Sequence, residues 1–151
     1  MATRTFDLDT SVGVPPAEAI DFLLRLDQHP GLHPYFTHAE IVAEGSDADG
    51  PWTDWRVTET SRVGPFSYPL RFPTRTSRTT GTSMTSVVRP APGCRLDITA
   101  RAVNAPGGAR VTETVAVSAP PPLLGYMTRQ AEFARGRLYE RLSDALGTLS
   151  P

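Results

Sequence analysis

The sequence predicts an α+β fold: a curved antiparallel sheet of six to seven strands wrapped around one long C-terminal helix, with short helices after the first strand. Three observations carry this. Apolar residues from Leu123 to Leu149 recur at helical spacing, the middle of the chain reads as strands joined by short turns, and the other helical pattern directly follows the first strand. Consecutive strands with short connections imply antiparallel pairing, and helices confined to the two ends imply one layer of helix on one of sheet. A helix with a single apolar stripe needs that sheet to cover it.

Arg4 to Val14 alternates, with Phe6, Leu8, Thr10, Val12 and Val14 on one face, as a half-buried strand does. Pro15-Pro16 stops it and starts a helix over Ala17–Leu26, which turns Ile20, Leu23 and Leu24 inward and has Glu18 in its first turn. Pro30, Gly31 and Pro34 break Asp27–Pro34 into a turn or a short helical piece. Strands follow at Thr37–Glu44 and Trp52–Arg62, separated by the polar cluster Gly45–Gly50. After Gly64-Pro65 comes the alternating run Phe66, Tyr68, Leu70, Phe72, which Pro69 and Pro73 reduce to an edge or irregular strand. Three more strands, Thr82–Arg89, Cys94–Val103 and Ala109–Ser118, are joined by Pro/Gly-rich hairpin connections. Pro120, Pro121 and Pro122 form a stiff start to the last helix. Its predicted buried stripe is Leu123, Met127, Ala131, Ala134, Leu138, Leu142, Ala145 and Leu149, and Arg129, Glu132, Arg135, Arg137, Glu140, Arg141 and Asp144 form the solvated face.

The length of 151 residues fits a single domain, 1–151, with a substantial core. A formal net charge of −1 leaves no global field to draw the chain to nucleic acid or an anionic membrane. No apolar run reaches the roughly 20 residues of a membrane span, and the N-terminus lacks a signal-peptide core. The lone Cys94 has no internal disulfide partner, which fits a reducing compartment, so a cytoplasmic protein is expected. The basic residues are all arginine, a bias that fits a high-GC bacterial genome.

Val14-Pro15-Pro16-Ala17-Glu18 running into Ile20-Asp21-Phe22-Leu23-Leu24, the proline-bearing His29–Pro34 turn, Gly108-Ala109-Arg110-Val111-Thr112 and Pro122-Leu123-Leu124-Gly125-Tyr126 occur in a telling order. Together with the succession strand, helix, six strands, long helix, they resemble the START-like (SRPBCC) helix-grip superfamily. That superfamily includes polyketide cyclases and aromatases, birch-pollen-allergen-like ligand carriers and lipid-transfer domains. The resemblance implies a cavity between the sheet and the last helix, and it is silent on catalysis, because such folds host catalysts and plain binders alike.

Alternation places Trp55, Val57 and Glu59 on one face of their strand, and Val111, Glu113, Val115 and Val117 on one face of theirs. A carboxylate among apolar residues is either paired or raised in pKa, and a raised pKa serves general acid–base chemistry, so Glu59 and Glu113 are the candidate catalytic groups. The competing reading pairs each with an arginine on the next strand, or turns either outward at a bulge. The expected cavity wall comprises Trp55, Val57, Leu96, Ile98, Val115 and Met127. Tyr126, Gln130 and Phe133 flank the helical stripe, and Tyr68 supplies an opposing aromatic surface. His29, His33 and His38 are interrupted by two prolines and hold no helical metal-ligand spacing, so they are expected to sit on the surface or pack in a loop, with no metal and no cofactor. Arg56, Arg71, Arg75 and Arg78 are expected on an exposed edge, not on nucleic acid. No nucleophile triad, phosphate loop or dinucleotide fingerprint occurs.

Two functions follow. One is a cyclase, aromatase or dehydratase that folds a polyketide-like substrate and moves protons with Glu59 or Glu113. The other is a non-catalytic carrier, sequestering or sensing protein for an apolar or aromatic small molecule. Either would act as a monomer or homodimer without inserting into a membrane.

Overall fold

The computed structural model describes residues 2–63 and 65–147, and for residues 61–63, 66 and 68 the backbone only. Leu149, the last member of the predicted helical stripe, lies outside the described residues. Seven strands, β1 (Ala2–Val12), β2 (Phe36–Asp47), β3 (Gly50–Val63), β4 (Phe66–Thr80), β5 (Ser83–Ala91), β6 (Cys94–Ala105) and β7 (Gly108–Ala119), form one sheet. Helix α1 (Pro16–Leu24) and a 3-10 turn at Leu26–Gln28 follow β1, and α2 (Pro121–Leu146) ends the described chain. The sheet order is β1-β7-β6-β5-β4-β3-β2, with every pairing antiparallel. This is the α+β helix-grip architecture expected from the sequence.

β2 to β7 form a meander of short turns, whereas β1 pairs with β7, the last strand. The connection from β1 to β2 must therefore cross the concave face from one edge of the sheet to the other. Helix α1 and the 3-10 turn are that crossing, and α1 packs on β4, β5, β6 and β7. Helix α2 lies instead over β1 and β7, at one end of the sheet.

The β4 strand corrects the expectation of an edge, because it runs between β3 and β5. Its pairing with β5 covers only Thr74–Thr80, so the Phe66–Pro73 half is bonded to β3 alone. Pro69 and Pro73 both fall in this half, where a residue without an N–H interrupts no second ladder. The expectation thus described that half correctly and missed the strand's continuation into the sheet.

Helix α2 is also turned slightly from its predicted phase. Its buried residues are Leu124, Thr128, Ala131, Ala134, Leu138, Tyr139 and Leu142. Leu123 and Ala145 are exposed and Met127 is half-buried, while Glu132 and Glu140 face solvent as expected. Thr128 can be buried because its hydroxyl donates to the Leu124 carbonyl at 2.7 Å. Arg135, expected on the solvated face beside Glu132, is instead turned inward with a side chain 14% exposed. Its physical reason is a buried carboxylate on β7, described below.

Three apolar clusters make the core. One joins α1 and the C-terminal half of α2 through Val12, Ile20, Val111, Leu138 and Leu142. Another lies under the first half of α2, around Leu96, Ile98, Val115, Val117 and Leu124. The third fills the β2–β4 end with Leu26, Ala39, Trp55, Val57 and Phe72.

Candidate functional site

Between the three clusters the interior holds a cavity of about 70 Å³. Its apolar wall is drawn from all three: Leu23 and Met84, Leu96 and Ile98, Leu26, Val57 and Phe72. Its polar groups are Glu59 from β3, His29 and His33 from the segment after α1, Thr74 from β4, Ser86 from β5 and Arg135 from α2. The cavity therefore lies between the sheet and the α1 crossing. Helix α2, expected to form the opposing wall, contributes only Arg135 to it.

Of the residues expected at the site, Glu59, Val57, Leu96 and Ile98 line this cavity. Trp55 is buried but packed beneath Leu26, and its indole N–H donates to the Thr76 hydroxyl at 2.9 Å. Val115 and Met127 lie in the cluster under α2, away from the cavity. Tyr126 is 56% exposed and Gln130 half-buried on the outer flank of α2, and Phe133 packs on the Tyr35 ring at the surface. The side chain of Tyr68 lies outside the described residues. Of the four arginines expected on an edge, Arg56, Arg71 and Arg75 are exposed and Arg78 is half-buried. Arg75 makes a fork to Asp54, with N···O distances of 2.6 and 2.9 Å.

Glu113 is buried among apolar neighbours and fully engaged. Arg135 Nε donates to its Oε2 at 2.9 Å, Arg135 Nη2 to its Oε1 at 2.5 Å, and the Tyr139 hydroxyl to Oε1 at 3.1 Å. Burial works against a charged guanidinium, but the carboxylate beside it holds the Arg135 pKa above its ordinary value. Burial, and then the negative charge of Glu113, push the Tyr139 phenol well up. Arg135 is thus a fixed cation that borders the cavity on one side and is neutralised on the other.

Glu59 has a different environment. Burial raises its pKa from 4.5 to about 7, against the opposing pull of Arg135, so acid and carboxylate forms coexist near neutrality. His33 lies beside it, with Nε2 3.8 Å from Glu59 Oε2. That separation is too long for a hydrogen bond but leaves room for one shared ligand atom. The Tyr35 N–H donates to His33 Nδ1 at 3.2 Å, which leaves the ring proton on Nε2, facing Glu59. Burial, with Arg135 adding repulsion, lowers the His33 pKa to about 3 and keeps the ring neutral.

His29 is likewise lowered to about 4 by burial, and its Nε2–H donates to the Phe22 carbonyl at 3.0 Å while its ring packs against Phe22. Both rings are buried, which corrects the surface half of the expectation and keeps the loop-packing half. The loop holding them is fixed from outside: Gly31 takes a positive φ of 90°, and Arg141 of α2 donates to its carbonyl at 3.1 Å. His38 is exposed. Among the described residues no three His, Cys, Asp or Glu side chains converge as a metal-binding set.

Sequence reasoning missed Thr74 and Ser86, and it placed Arg135, His29 and His33 away from the cavity that they line. Alternation carried a signal for Thr74, since Phe72, Thr74 and Thr76 share a parity with Pro73 and Arg75 between them. It carried none for Arg135, whose partner is distant in the chain.

The fold is the START-like helix-grip fold. No protein-family model matches the sequence, and no curated protein matches it. Solved structures do. The chain is similar to Ara h 8.0201, with a TM-score of 0.64 and 14% identity over 93% of this chain and 98% of that one. It is similar to the Zhui aromatase/cyclase from a Streptomyces species, with a TM-score of 0.72 and 11% identity over 96% and 94% of the two chains. A START superfamily protein from Mycobacterium smegmatis aligns with a TM-score of 0.64 and 13% identity over 95% and 96%. At such identities these likenesses speak to the fold. No helix among the described residues is long and apolar enough to cross a membrane.

Proposed function

We propose that the protein binds a compact apolar or polyketide-like small molecule in the central cavity and moves protons on it with Glu59. The observation that carries this reading is Glu59 itself: a carboxyl raised to about 7 in an apolar-walled cavity, beside a neutral imidazole and near a fixed guanidinium. A group with this pKa serves as base and acid in turn at neutral pH. The likeness to an aromatase/cyclase makes a ring closure the favoured reaction class.

In that reaction the Glu59 carboxylate takes a proton from the carbon beside a ligand carbonyl. The electron pair moves onto the carbonyl oxygen, where Arg135 or the His33 Nε2–H hydrogen-bonds the enolate. The enolate carbon then attacks a second carbonyl of the same molecule, and protonated Glu59 returns its proton to the new alkoxide. A further α-proton passed to the Glu59 carboxylate, and from there to the departing hydroxyl, would release water and complete a dehydration with the carboxylate restored. Glu113 has a positioning role, since its bonds hold Arg135 at the cavity wall.

A non-catalytic carrier is the second reading. The observation favouring it is that one of the two candidate carboxylates, Glu113, is wholly occupied by Arg135 and Tyr139, which leaves a single free acid.

Exchange of the α-protons of cyclohexanone in deuterated water, followed by NMR, separates the two. The wild type should accelerate exchange, and Glu59→Gln should lose about a hundredfold of that acceleration while still binding the ketone. Equal exchange by the two proteins would leave the carrier.

A further inference from the structure

Of the buried side-chain polar atoms among the described residues, one has no hydrogen-bond partner: the hydroxyl oxygen of Thr74. Thr74 is 4% exposed and lines the cavity. Its buried relatives are satisfied, Thr76 by the Trp55 indole and Thr128 by the Leu124 carbonyl. Buried hydroxyls in native proteins are paired as a rule, and an unpaired one on a residue that lines a cavity asks for a partner there. Ser86, 5% exposed and also lining the cavity, sits on the neighbouring strand. Thr76 pairs with Ser86 and Thr74 with Val88, so Thr74 and Ser86 are diagonal neighbours within reach of one ligand atom.

This pair lies away from the charged end of the cavity. Thr74 pairs with Trp55 on β3, and Glu59 is four residues further along that strand, roughly 13 Å at the rise of an extended chain. The side chains and a hydrogen bond of about 2.8 Å at each end take up much of that span. What remains suits a single ring. The volume agrees, since about 70 Å³ is room for roughly five water-sized groups.

We propose that Thr74 and Ser86 form a hydrogen-bonding subsite that selects ring compounds carrying oxygen functions at two opposite edges, one held by Thr74 and the other at Glu59, His33 and Arg135. The subsite rests on the reading of the cavity as a ligand site. It goes beyond that reading by fixing which ligands are preferred and in which orientation they enter. A ring oxygenated at one edge binds with that oxygen at the charged end and leaves Thr74 unpaired. Losing one required hydrogen bond in a buried polar site discriminates more strongly than losing a methyl group from an apolar one.

The test compares three probes by titration calorimetry: 1,4-dihydroxybenzene, 4-methylphenol and toluene. The wild type should prefer the dihydroxy compound to 4-methylphenol by about tenfold. Thr74→Val keeps the side-chain shape and removes the hydroxyl, so it should abolish that preference without weakening 4-methylphenol. Thr74→Ser should keep it, and circular dichroism of both variants verifies that they fold. Binding of the probes with a preference unchanged in Thr74→Val overturns the subsite and leaves the cavity reading standing. Failure of the wild type to bind any of the three overturns both.

Discussion

Removal of Arg135 is the sharpest test of how this interior is held. Glu113 is 1% exposed on its side chain and receives three hydrogen bonds, two of them from Arg135. Arg135→Met keeps the stem and takes both away, leaving the carboxylate with Tyr139 alone. Hydrogen bonds to charged groups contribute about 1.5–3 kcal/mol each, and breaking a buried pair from one side costs about 3–5 kcal/mol. Because Arg135 borders a cavity and is 14% exposed, water can soften the loss. We expect about 3 kcal/mol, or a fall in Tm of about 6–12 °C for a chain of this size. Urea unfolding followed by tryptophan fluorescence gives the number directly. The double variant Arg135→Met/Glu113→Gln removes the stranded charge, so it should recover about 2 kcal/mol relative to the sum of the single losses. Additive losses, or a single loss under about 1 kcal/mol, would mean that the pair is not the constraint described here.

Stability should also rise with pH to about 6.5 and level off above it, because the last gain from the histidines offsets the loss from Glu59. Glu59, raised from 4.5 to about 7, contributes stability that is complete below pH 4.5 and lost as pH rises through 7. His29 and His33, lowered from 6.5 to about 4 and about 3, contribute stability present above pH 6.5 and lost as pH falls toward those values. Between the limits the two imidazoles outweigh the one carboxyl. Glu59→Gln removes the offsetting loss, so its stability should keep rising above pH 6.5 where the wild type levels off, and urea midpoints across the range measure it; a variant that levels off with the wild type contradicts the assignment. Leu138, fully buried on the inner face of α2, should cost about 2–5 kcal/mol as Leu138→Ala, and a loss below about half a kilocalorie would place it outside the core.

Strand faces were legible because alternation is local. Trp55, Val57 and Glu59 share an inward face, as do Val111, Glu113, Val115 and Val117, and each was readable from its own strand. The position of the cavity was not, because it depends on which element crosses the concave face. Pairing of β1 with β7 puts α1 there and moves α2 to the end of the sheet, and no local pattern reports that pairing. Arg135 shows the same limit in one side chain. Glu132 three residues earlier makes it look like half of a solvated pair, whereas its partner Glu113 lies on another element. Thr74 was legible as inward-facing, but whether a hydroxyl finds a partner is settled only in three dimensions.

The order of the strands also has a kinetic consequence. β2 to β7 each meet a neighbour as soon as the next turn forms, whereas β1 waits for Gly108–Ala119 before it has any ladder to join. A contact between such distant segments is formed late, and folds dominated by non-local strand pairing complete in milliseconds to seconds. The α1 crossing is pinned at both ends only once β1 is docked, so the cavity is assembled in the step that closes the sheet. Interactions made after the transition state act on escape from the native state. A ligand held in this cavity should therefore lengthen the lifetime of the folded protein while leaving its rate of formation almost unchanged.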